Sequence, residues 1–124
     1  MKIRQIKLAI RSVDETAAET KEVLKKLDRG ERVPRHEGLY FESLETMRKV
    51  LSEERIRVLK TIRKSHPSSI YVLAKVLKRD FKNVSDDVHY LSEMGLIDLK
   101  KAKTGRTRVT PLVNYEKILL EIPV

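Results

Sequence analysis

The residues of this chain best suited to chemistry are cations arranged around a short polar segment. Lys75, Lys78, Arg79 and Lys82 precede or open FKNVSDDVHYLSEM, and Lys100, Lys101, Lys103, Arg106 and Arg108 follow it, nine positive charges suited to phosphate oxygens. Asn83, Ser85 and His89 lie between the two groups. An asparagine amide can pair bidentately with an adenine edge, and serine and histidine can donate or accept. Plain exposed polar surface accounts for each of the three equally well. Asp86 and Asp87 run against the positive pattern, and a helical wheel over residues 81–94 separates them. Asp87 falls beside the apolar stripe, where an intramolecular cation is its simplest partner. Asp86 points outward, where it can pair with Lys82 along the helix, accept from a cytosine amino group, or face a protein.

Other chemistries find little to build on. The chain has no cysteine, which removes disulfides, thiolate metal sites and cysteine nucleophiles together. His36, His66 and His89 show no metal-ligand spacing, and no glycine-rich phosphate cradle occurs. Glu53 and Glu54 cluster where a helix begins, a position that complements the helix dipole. The expectation is a non-enzyme with no cofactor and no metal.

The elements that must position these groups follow from the apolar periodicity. With 124 residues, 36% charged and only 5% aromatic, any core rests on Leu, Ile and Val. The net charge of +9 favours phosphate-bearing partners. No apolar run reaches the ~18 residues of a membrane span, so a cytoplasmic protein with no membrane partner is expected. Ile6, Leu8 and Ile10 alternate as in a half-buried strand. The following segment reads as a helix, with Asp14 as capping candidate and Gly30 as stop. ERVPRHEGLYFES reads as a linker or surface loop, ending where Leu39 and Phe41 begin to pack.

Three helical patterns come next after a short one capped by Ser43. Ser52 caps a helix burying Ile56, Leu59 and Ile62 and exposing Arg55, Arg57, Lys60, Arg63 and Lys64. Ser68 or Ser69 caps a helix with Ile70, Leu73, Ala74 and Leu77 inward. Asp80 caps the third, with Phe81, Val84, Val88 and Leu91 inward and Gly95 at its end. After Gly95 the period becomes alternating, giving a basic hairpin around KAKTGR and a final strand over NYEKILLEIPV that pairs with the N-terminal one. Helix, turn, helix and hairpin occur in the order of a winged helix-turn-helix, with 81–94 as recognition helix and 98–113 as wing.

From about Phe41 to Val124 the chain resembles a family of small archaeal transcriptional regulators with a MarR-like winged helix. The resemblance runs through FESLETMRKVLSEERIRVLKTIRK, SIYVLAKVLKRDFKNVSDDVHYLSEMGLIDL and NYEKILLEIPV, and the preceding strand and helix are similar to that family's N-terminal arm. It implies a DNA-binding regulator in which Lys82, Asn83 and Ser85 match the recognition-helix start, and Asp87 matches a position where an acid is usual. Asp86 departs from it, since relatives are expected to carry a basic or neutral polar residue there. Some regulators of this shape act beside a toxin gene as antitoxins.

The combined expectation is an α+β, mainly α chain: an arm and loop over 1–38, and a winged helix-turn-helix over 39–124. It binds double-stranded DNA as a homodimer, with the strand and helix over residues 2–29 as candidate dimer surface. Lys75, Lys78, Arg79, Lys82, Lys101, Lys103, Arg106 and Arg108 contact phosphates, and Asn83, Ser85, Asp86 and His89 face bases. The alternative is a protein-interaction module, an antitoxin or assembly subunit, whose partner meets Asp86, His89 and Glu93.

Overall fold

In the computed structural model, residues 5–11, 13–31, 38–101 and 108–124 are described. The expected wing tip, with Lys103, Gly105 and Arg106, and the expected linker or surface loop around Pro34 and His36 fall on residues outside them. The architecture is α+β, with five helices and five strands among the described residues. They fall into two compact units: residues 1–49 with 117–124, and residues 50–116. The sequence pattern puts the boundary between 38 and 39 and keeps the last strand with the helices. Non-local backbone pairing moves residues 39–49 and 117–124 into the first unit.

That unit is built on a parallel sheet. β1 (Gln5–Ile10) lies between β2 (Gly38–Phe41) and β5 (Lys117–Glu121) and pairs in parallel with both. α1 (Val13–Asp28) connects β1 to β2, as parallel neighbours require a crossover. The expected pairing of the first and last strands is therefore present, with Ile6 opposite Ile118 and Leu8 opposite Leu120. The sequence pattern of β2 is that of a loop, because its four residues follow Pro34 and begin at glycine. Its glycine serves close approach: a Cβ on Gly38 would come within 2.9 Å of the Lys7 carbonyl oxygen.

α1 begins at Val13, so Asp14 lies inside its first turn rather than at its cap. It ends on Gly30 at φ +73°, with Gly30 N–H bonded to Leu27 O and Glu31 N–H to Lys26 O. Across the sheet surface, Lys7 pairs with Glu121, and Arg11 pairs with Glu19 while its guanidinium lies 4.4 Å over the Tyr40 ring. The hydrogen bond and charge of Lys7 hold the Glu121 carboxyl below its ordinary range. α2 (Leu44–Val50) is capped by Ser43, whose Oγ accepts from Thr46 N–H at 3.1 Å.

The second unit holds α3 (Glu53–Ser65), α4 (Ile70–Leu77) and α5 (Phe81–Glu93), then the antiparallel hairpin of β3 (Asp98–Lys101) and β4 (Val109–Leu112). The three expected caps are formed: Ser52 accepts from Arg55 N–H, Ser69 from Val72 N–H and Asp80 from Asn83 N–H. All four predicted core residues of α4 are buried, as are Val84, Val88 and Leu91 of α5. Two expectations fail at helix starts. Phe81 is 48% exposed, resting its ring against Tyr71 at 6.1 Å. On α3, Val58 is buried in place of Ile56, because the stripe centres on Val58, Leu59 and Ile62.

Tyr115 O–H donates to Leu96 O at 2.8 Å, Thr110 O–H to Ser68 O at 2.7 Å, and Arg63 Nη1 to Val113 O at 3.3 Å. These bonds fasten the hairpin and the segment after it to the helices. No helix among the described residues is long and apolar enough to cross a membrane.

Candidate nucleic-acid interface

The site is the outer face of α5 with its flanks, and the inner face explains why it is presented. Val84, Val88 and Leu91, spaced at three and four residues, bury completely and fix the helix's rotation. Lys82, Asn83, Asp86, His89 and Glu93 are consequently exposed together. Ser85 is half-buried, and its carbonyl lies 2.7 Å from His89 Nδ1. A carbonyl only accepts, so Nδ1 carries the proton, and in the neutral ring Nε2 is the acceptor. His89 thus has a defined tautomer on an exposed face.

Asp87, one residue from the exposed Asp86, has a different environment. Arg55 Nε lies 3.3 Å from one of its carboxylate oxygens and Arg79 Nη2 3.0 Å from the other. Arg55 also donates to Val50 O at 3.0 Å and stacks 4.1 Å over the Tyr90 ring. Arg79 Nη1 is buried 3.6 Å from Glu54 Oε2, an ion-pair separation too long for a hydrogen bond. The expected intramolecular partner of Asp87 is present, and the cluster links α3, the α4–α5 turn and α5.

Arg55, expected among the exposed cations of α3, is instead partly buried against Asp87. The signal was available: Arg55, Val58, Leu59 and Ile62 stand at i, i+3, i+4 and i+7, so the arginine occupies the buried stripe. Arg79, expected on phosphate, is committed to Asp87 and Glu54. The turn between α4 and α5 accounts for its direction.

That turn is the same hydrogen-bonded closure that ends α1 and α5. Lys78 N–H bonds to Lys75 O and Arg79 N–H to Ala74 O, as Gly95 N–H bonds to Ser92 O and Leu96 N–H to Leu91 O. Glycine takes the left-handed position in α1 and α5, but in α4 Lys78 takes it at φ +54°. Its ammonium is exposed beside the start of α5.

Of the other expected phosphate ligands, Lys75 is exposed with its ammonium 4.6 Å over the Tyr71 ring, and Lys82, Lys100, Lys101 and Arg108 are exposed. Lys103 and Arg106 lie outside the described residues. α3 adds an exposed stripe of Arg57, Lys60 and Lys64, as its apolar spacing leads one to expect. The acid of β3, Asp98, accepts from Asn114 Nδ2 at 2.6 Å.

The HVO_A0114 family profile matches residues 50–120, more than half of the chain, spanning the whole helical unit and entering β5. Neither the curated proteins nor the solved structures contain a match.

Proposed function

The chain belongs to the HVO_A0114 family, and from the surface of its matched region we propose a sequence-specific, DNA-binding transcriptional regulator. α3, α4, α5 and the hairpin act as a MarR-like winged helix-turn-helix. α5 enters the major groove, while the hairpin lies along the backbone. The chain works as a homodimer, so that two copies read two half-sites.

One observation carries this reading. The residues that secure α5 lie on its inner side, while the exposed cations Lys75, Lys78 and Lys82 gather at its start and Lys100, Lys101 and Arg108 on the hairpin. Cations on both flanks supply affinity without regard to sequence, and Asn83, Asp86 and His89 face base edges. Asp86 then costs affinity in general but favours a cytosine amino group at its position.

Titration of randomised and selected duplexes across a salt series tests the proposal. Binding with a steep salt slope is expected. Lys101→Ala and Arg108→Ala each lower the slope by about one, on all sequences alike. Asn83→Ala changes preference among sequences. Absence of binding at low salt rejects the reading.

The exposed acids Asp86 and Glu93 favour the second reading, a protein-interaction module. That reading requires a complex with a basic protein that Asp86→Lys disrupts while DNA affinity stays absent.

A further inference from the structure

β5 is an edge strand whose only pairing among the described residues is with β1. Its outer side presents the unpaired N–H and C=O groups that a further strand requires. Its side chains are unusually apolar for an edge. Ile118 and Leu120 continue the face of Ile6 and Leu8, and Leu120 and Ile122 are still 45% and 49% exposed. Leu119, on the opposite face with Lys117 and Glu121, is 45% exposed.

The order of these residues selects the occupant. The strand reads Lys-Ile-Leu-Leu-Glu. Turned end for end about Leu119, a second copy lays its Glu121 opposite Lys117 and its Lys117 opposite Glu121. Ile118 then meets Leu120 twice, and Leu119 meets itself. Such self-complementarity is the property of a two-fold interface. The charges are also available. Lys117 has no ion-pair partner among the described residues, and Glu121 engages Lys7 through Oε2, leaving Oε1 for a second cation.

We propose that β5 is the self-association surface of this chain: two copies pair their β5 strands antiparallel about Leu119, joining two three-stranded sheets into one. The interface supplies the two-fold pair invoked for DNA binding. Its test uses no nucleic acid, so either proposal can fail without the other.

The absence of cysteine makes single-cysteine probes unambiguous. Directly opposed residues of antiparallel strands have Cα atoms about 4.5 to 5.5 Å apart, within the range of a disulfide. Sedimentation and native mass spectrometry should find a dimer, and Leu119→Cys should oxidise to a covalent dimer. A mixture of Lys117→Cys and Glu121→Cys chains should cross-link more than either alone. Lys117→Glu should weaken association by about tenfold, and the double exchange Lys117→Glu with Glu121→Lys should restore it. Circular dichroism of each variant separates lost pairing from lost folding. A monomer at about 100 μM, or a dimer cross-linked by Leu24→Cys on α1 but not by Leu119→Cys, overturns the proposal.

Discussion

Arg79 Nη2 lies 3.0 Å from Asp87 Oδ2, so a cation beside the proposed interface is held by an acid of the same helical unit. Arg55 takes the other oxygen of Asp87. With all three side chains mostly out of water, removing the carboxylate takes away the anion that both guanidinium groups share, leaving Arg79 with the more exposed Glu54 at 3.6 Å.

Asp87→Ala should therefore cost about 2 to 3 kcal/mol of stability. Asp86→Ala, one residue away and exposed, should change stability by about 0.5 kcal/mol or less. Urea unfolding of the two variants measures the contrast. Equal losses would refute the structural role given to the cluster.

Asp86→Asn should raise affinity for duplex DNA of every sequence, because one negative charge leaves the face of α5. The salt series described above measures the gain. If selected sites contain a cytosine contacted by Asp86, preference there should relax in the same variant.

Lys78→Gly should separate binding from stability. A non-glycine residue in the left-handed region costs roughly 1 kcal/mol, so glycine should stabilise the chain by up to about that amount. The same change removes an exposed cation and should weaken DNA binding. A rise in Tm with a fall in affinity is the expected pair of outcomes.

Gly38→Ala should destabilise the parallel sheet by about 1 to 3 kcal/mol, since the new methyl would meet backbone rather than a movable side chain. Hydrogen exchange should rise along β1 and β2. Unchanged protection would contradict the close approach of the two strands.

Tyr115 should give the chain an alkaline limit. Burial first, and the charge of Asp98 second, push its phenol from 10.0 up to about 12. The unfolded chain releases this proton at lower pH than the folded one. Stability from the protonated phenol is thus full below about pH 10 and is lost as pH rises to about 12. Denaturation midpoints should fall more steeply over that window than in Tyr115→Phe. At neutral pH that variant should lose about 1 kcal/mol with the hydrogen bond to Leu96.

Local sequence determined much of the helical unit. Ser52, Ser69 and Asp80 specify where three helices begin, because a side-chain oxygen accepting from the third N–H needs only neighbouring residues. Gly30 and Gly95 specify ends for the same local reason. The apolar spacing of α4 named its four buried residues, and the wheel over α5 distinguished Asp86 from Asp87.

Only the tertiary structure decided what depends on distant partners. β2 carries too short a pattern to announce a strand, and it becomes one through backbone bonds to β1 across α1. Arg55 and Arg79 look like surface cations until α3 and α5 are packed together and Asp87 reaches both. Lys78 enters the left-handed region because the chain must close α4 and start α5 within a few residues. Caps and periodicity act over one or two turns of chain. Ion pairs and parallel strands join residues far apart in sequence, and their partners exist only once the chain has folded.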